Sequence, residues 1–451
     1  ERTVELGPGA DERVQARVSP ERYPGAFCTV RCELSTAEEP VDLMEAGWVV
    51  RRADALAAGP RLGFAANYFT LNGRPVFLCG TDTYGNIYNL AQANPLTWRR
   101  DVRRCQDYGL SVYENLNFWP KDFRYSDTEL RNLDAIAQLT QQHQQVFMSG
   151  LLIGGDVACD DATFEKQKEM CRSFARRYQD TPGLIYYLNG DLTLSHKAAD
   201  ELAVRWREYL RSLYGTHEAL QAAWGAERAG ASFEQVPFPL PASQEWADVA
   251  TADFIRFETT QTDHWLTGLH RAIREVDPDA ITTAEFYPAP SGGVDIAAGI
   301  GELSVSNIGY FDMPGRDIER LPGAIGFADM RAKGKSVSLG EFGVKMHPAW
   351  TFENGAVGYH LVRTEQEARD LWLILSHYAL GLGASKIQNW CLDDASERVF
   401  PWGLFYPNDL VPKDVALTYR NIGLLFRLLT PKYEPPRVTV LLPDRHRLGP
   451  Q

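Results

Sequence analysis

From residue 76 onward, short β-branched or aromatic runs alternate with amphipathic stretches, and the alternation repeats through eight strand-like runs. The strand candidates are Val76 to Gly80, Ser111 to Asn115, Gln145 to Met148, Leu184 to Leu188, Ala280 to Ala284, Ile308 to Phe311, Ser336 to Leu339 and Ala384 to Asn389. Helical periodicity fills the intervals at Pro95 to Tyr108, Ser126 to Gln144, Phe164 to Tyr178, Ala198 to Tyr214, Asp253 to Val276 and Thr364 to Leu382, with a last helix running through Leu429. Eight strands alternating with helices predict an α/β fold of the (β/α)8 TIM-barrel type. A nucleotide-binding open sheet would carry a Gly-rich phosphate fingerprint, which is missing.

Residues 1–62 have a different texture, alternating polar and apolar positions as in Ala26-Phe-Cys-Thr-Val-Arg-Cys-Glu-Leu34. They predict a strand-rich N-terminal segment, part of a β-sandwich. Asn72-Gly73 marks a hairpin turn leading into the barrel. The expected division is 1–62 for that segment, 63–430 for the barrel, and 431–451 for a linker and the start of a further domain, opened by the strand-like Arg437-Val-Thr-Val-Leu-Leu442. The opening at Glu1, without a basic-then-apolar leader, reads as a processed or trimmed start.

The 46 basic and 59 acidic side chains leave a net charge of −13, which argues against nucleic acid or an anionic membrane as partner. No apolar run approaches the length of a membrane span. Seven cysteines form no CxxC pair and no metal-like cluster, so neither a metal nor a cofactor is expected. Cys28 and Cys32 fall in one predicted strand, roughly 13 Å apart at ~3.3 Å per residue, too far for a disulfide. The compartment stays open between cytoplasmic and secreted.

In a (β/α)8 barrel the reactive groups stand at the C-terminal ends of the strands. That rule selects Asp82, Glu114, Asn189, Asp191, Glu285, Tyr310, Glu341 and Trp390, a set rich in carboxylates and aromatic rings. Paired carboxyls are the machinery of glycosidic-bond hydrolysis, and rings are the platforms on which sugar C–H faces stack. Glu341 is singled out by Leu339-Gly-Glu-Phe-Gly343, where glycines leave room for a ligand near the backbone. Tyr287 and Trp350 lie close by in sequence and join the aromatic set.

Several segments carry a resemblance: Phe174-Ala-Arg-Arg-Tyr-Gln-Asp-Thr-Pro-Gly-Leu-Ile-Tyr-Tyr-Leu-Asn189, the stretch from Trp206 to Trp224-Gly225, Asp253-Phe-Ile-Arg-Phe257, Ile273 to Asp279 before Thr282-Thr283, and Glu341 nine residues before Trp350. In order and spacing they resemble clan A of the glycoside hydrolases, most closely family 42, the β-galactosidase family. The resemblance implies a retaining β-glycosidase acting on oligosaccharides, with Glu341 as nucleophile and Asn189 holding the sugar 2-hydroxyl. It also places Tyr310 beside the nucleophile; Asp82, Glu114, Tyr287, Trp350 and Trp390 are expected to contact the substrate. Members of the family tend to be trimers, so a homo-oligomer is compatible with it.

Two positions depart from the family pattern. Gly190 stands where an acid/base glutamate follows the asparagine, and Glu114 stands where an arginine is usual. Three explanations are open: Asp191 supplies the proton, Glu114 or Glu285 supplies it from a neighbouring strand, or the function is lost and the chain is a carbohydrate-binding pseudoenzyme.

Overall fold

The computed structural model describes residues 25–36, 39–83, 94–116, 119–154, 160–190, 199–241, 248–287, 301–311, 320–332, 335–346, 362–394, 401–406 and 411–432, with short pieces at 8–9, 11–15, 157, 192, 194, 243, 294–296, 298–299 and 434. Eight parallel strands close into a barrel: Leu78–Thr83, Val112–Asn115, Val146–Gly150, Leu184–Tyr187, Ile281–Phe286, Val305–Phe311, Ser336–Gly343 and Lys386–Asn389. They are called barrel strands one to eight, and strand eight pairs with strand one through Ile387 opposite Cys79. All eight predicted runs are barrel strands, which bears out the fold class.

Two apolar clusters divide the side chains of each strand by the two-residue period of β structure. Leu78, Val112, Val146, Met148, Ile185, Tyr187, Ile281 and Val305 meet inside the barrel. Their sequence neighbours, among them Cys79, Tyr113, Phe147 and Tyr186, face the helix layer and join the larger cluster, as does Ile387 of strand eight. A three-stranded antiparallel sheet, Leu62–Ala65, Tyr68–Leu71 and Arg74–Val76, packs Phe69 into the inner cluster and closes the barrel floor. Its Asn72-Gly73 turn has both residues at positive φ (53° and 81°), the geometry expected of that pair.

The helices start where the sequence supplies caps. Ser126 with Glu129, and Thr364 with Glu367, form reciprocal capping boxes, while Asn94, Asp160 and Asp248 accept from first-turn amides. Neither Leu321–Arg331 nor His217–Trp224 was among the predicted helices; in the first, Pro322 and two glycines break the apolar period, and packing of Leu321, Ile325 and Ala328 holds it.

Before the barrel, Phe27–Ser35 and Pro40–Val49 form an antiparallel hairpin in keeping with the expected β-rich segment. Asn94 ties it to the first barrel helix, accepting from Gly47 N at 2.7 Å and donating to Glu45 O at 3.1 Å. Cys28 and Cys32 face different partners on that hairpin, Trp48 and Met44, and both are free thiols. Arg437 to Leu442 lies outside the described residues. Among the described residues no helix is long and apolar enough to cross a membrane.

Candidate active site

Following the inner faces upward, the residue type changes abruptly. Two positions beyond Gly80 in strand one comes Asp82, two beyond Val112 comes Glu114, two beyond Tyr187 comes Asn189, and two beyond Thr283 comes Glu285. All four are buried. Asp82 and Glu114 are register partners on adjacent strands. Neither oxygen of either carboxyl finds a hydrogen-bond partner among the described residues. Unpartnered carboxyls so deep cost several kcal/mol, roughly, when ionised, and therefore hold their protons. Burial first, then the neighbouring Glu114 and Glu285, raises Asp82 well above the usual carboxylate range, and burial pushes Glu114 up to about 8.

Glu341 reaches this ring through a break in strand seven. Leu339 faces the helix layer, so regular alternation would send Glu341 outward with it. The pairing with strand six instead jumps from Ile308 opposite Leu339 to Gly309 opposite Glu341, leaving Gly340 as an extra residue. This β-bulge restores Phe342 to the helix-facing cluster and turns Glu341, 9% exposed, toward the barrel mouth. Gly340 must be glycine: a Cβ there would overlap Glu285 Oε2 and come within 2.6 Å of Asn307 Cβ. The carboxyl of Glu285 therefore lies directly against the backbone that presents Glu341.

The end of strand four is clamped on both sides. Asn189 Nδ2 donates to Leu152 O at 2.6 Å, Asn189 O accepts from Glu285 N at 2.9 Å, and Gly190 O accepts from Gly154 N at 3.1 Å. A Cβ at 190 would come within 2.3 Å of the Tyr187 hydroxyl, so a side chain there requires the Tyr187 ring to shift. Trp390 N donates to Phe342 O at 2.9 Å, and the half-buried Trp390 ring leans on the fully buried Trp402 at 5.1 Å. A buried ion pair, Lys413 to Asp394 at 2.7 Å, pins the segment after strand eight, with Asp394 also accepting from Gly403 N.

The structure thus brings Asp82, Glu114, Asn189, Glu285 and Glu341 to one end of the barrel interior. Tyr287 is exposed just past strand five, and Tyr310, one residue beyond the strand partner of Glu341, packs with the helix-facing cluster. Asp191 and Trp350 lie outside the described residues. Among the described residues no three His, Cys, Asp or Glu side chains are arranged so that they could hold a metal ion.

Sequence reasoning passed over Lys386, which enters the barrel from strand eight. It is fully buried, and its Nζ donates to Gln388 Oε1 at 2.9 Å. Burial lowers its pKa, and Glu114, Glu285, Asp82 and Glu341 act in the opposite direction. The signal was a lysine alternating with isoleucine inside a strand-like run.

A family model described as Beta-galactosidase matches residues 160–339, a span that includes Asn189, Gly190 and Glu285 and stops just before Gly340-Glu341. A β-galactosidase of Arthrobacter sp. is 32% identical over 113 residues, 24% of this chain and 16% of that protein. Solved β-galactosidase structures from Rahnella sp. R3 (16% identical, TM-score 0.63, 79% of this chain and 56% of that one) and Bacillus circulans sp. alkalophilus (17%, 0.62, 78% and 56%) share the fold. A β-glucuronidase of Bifidobacterium dentium is similar over more of this chain, 88% of it and 53% of its own, at 13% identity and TM-score 0.51. The chain spans little more than half the length of these solved relatives. These similarities bear out the resemblance to clan A of the glycoside hydrolases, most like family 42.

Proposed function

We propose that residues 63–430 form the catalytic barrel of a retaining β-glycosidase, with galactosides the leading substrates and Glu341 the nucleophile. The observation that carries this reading is the bulge at Gly340, which turns Glu341 out of the helix-facing register and into a ring of carboxyls. In the first step a Glu341 oxygen attacks the anomeric carbon, the glycosidic C–O bond breaks, and a glycosyl-enzyme forms. The departing oxygen takes a proton, and water later cleaves the ester with the same group acting as base.

Glu285 is the proton donor we favour. It is a residue of strand five whose carboxyl lies against Gly340, beside the proposed nucleophile, and it is not wholly enclosed. Glu114 holds its proton but is fully enclosed, which suits a supporting role better. Trp390 and Tyr287 offer rings for a sugar face, and Asn189 and Asp82 offer polar contacts.

Intact-protein mass after exposure to 2-fluoro glycosides with a dinitrophenyl leaving group, followed by peptide mapping, tests this directly. A label on Glu341 is expected, with Glu341→Gln folded and unlabelled; label elsewhere removes Glu341 from the role. Gly190 favours a second reading, a carbohydrate-binding barrel without turnover. That reading predicts no label with any sugar, together with measurable glycan binding.

A further inference from the structure

The glycosidase reading accounts for the carboxylates but not for the cation buried beneath them. The structure assigns Lys386 as the positioning residue of the site: its ammonium, anchored on Gln388, is the counter-charge around which Asp82, Glu114, Glu285 and Glu341 are assembled. It acts on the reaction through these carboxyls and not through the sugar, and the inference rests on the proposed glycosidase chemistry.

The anchoring is built into two strands. Lys386 and Gln388 share the inner face of strand eight, opposite Leu78 and Gly80 of strand one. Gly80 leaves the space that Gln388 uses, since a Cβ there would come within 3.0 Å of Gln388 Oε1. Gln388 in turn takes one of the three ammonium protons of Lys386. The groups that act on Lys386 come from four other strands: Asp82 from strand one, Glu114 from two, Glu285 from five and Glu341 from seven. Cys391, past strand eight, and Tyr419 of the last helix adjoin Asp82 and complete the titratable surroundings. A buried lysine without opposite charge would be expelled or neutralised, and a buried cation near carboxyls favours their ionised form. Lys386 therefore biases the ring toward ionisation, which a nucleophilic carboxylate needs.

The test is the pH dependence of kcat/KM for an activated aryl galactoside in the wild type, Lys386→Met and Lys386→Arg. Lys386→Met should move the acidic limb upward by roughly one to three pH units, the effect of losing an adjacent opposite charge. Lys386→Arg should leave the limb in place. A Lys386→Met profile that superimposes on the wild type, with only its height reduced, overturns the inference. If Lys386→Met does not fold, Gln388→Leu, which removes the anchor alone, should shift the limb in the same direction by less, and an unshifted limb overturns it. Should the wild type cleave and label with no glycoside, the enzymatic reading fails separately. Lys386 is then judged from urea unfolding: Lys386→Met should lose more stability than the wild type as pH rises through neutrality, and parallel curves overturn the inference.

Discussion

The floor and the mouth of the barrel interior are made by the same strands, two to four residues apart, under opposite rules. At the floor the aliphatic side chains of Leu78, Val112, Ile185, Ile281 and Val305 interlock. At the mouth Asp82, Glu114, Asn189 and Glu285 are as deeply enclosed, yet the carboxyls of Asp82 and Glu114 have no hydrogen-bond partner among the described residues. The first arrangement lowers the free energy of the fold through burial and dispersion. The second raises it, and the excess is held there by the floor beneath and by Lys386. A protein spends stability in this way where reactivity requires carboxyls that keep or release protons near neutrality.

The sharpest way to break this contrast is at the mouth. Glu285→Gln should lower kcat roughly 10²–10⁴-fold on substrates with poor leaving groups, and much less on dinitrophenyl glycosides, where departure needs no proton. Equal losses on both would remove Glu285 from the donor role. At the floor the expectation is reversed. Ile185→Ala should cost about 2–5 kcal/mol in urea unfolding while leaving kcat per folded molecule near that of the wild type.

Between the two lies Gly340→Ala, which forces the new methyl against Glu285 and Asn307. It should cost about 1–3 kcal/mol and lower kcat as well, and a loss confined to stability would mean that the bulge does not aim Glu341. The smallest effect is one of slope. Glu114 is raised from 4.5 to about 8 in the folded chain. Its folded form therefore binds more protons than the unfolded chain between those values. Its contribution is complete below the unfolded pKa and declines as pH rises through the folded one. Glu114→Gln should flatten the fall in urea midpoint between about pH 5 and pH 8 and be the more stable form at the upper end; an unchanged slope would show that Glu114 is already ionised.

Much of the fold was legible because its signals are local. Eight apolar runs and their capped helices each announce themselves within a dozen residues or so, and Asn72-Gly73 prescribes its own turn. The helix Leu321–Arg331 was missed because proline and glycines hide a segment that tertiary packing holds. In the site, the strand-end rule found Asp82, Glu114, Asn189, Glu285 and Glu341, since strand ends need only one-dimensional information. Sequence reading assigned the space beside Gly340 to a ligand, whereas the structure fills it with Glu285 at a bulge, and a bulge exists only relative to the strand beside it. Gly190 could be read from the sequence as a departure, but not the Tyr187 hydroxyl that fills its side-chain space.

The order of residues alone determined the barrel and the gathering of carboxyls at one end of it, because strand period and strand termini are properties of a single chain segment. Only the tertiary structure decided that Glu341 faces inward, that Glu285 rests against its backbone and that Lys386 is buried on the inner face of strand eight. Those facts depend on register and on depth below solvent. Both arise only when strands distant in sequence close on one another, and the electrostatics of a buried charge is set by that closure.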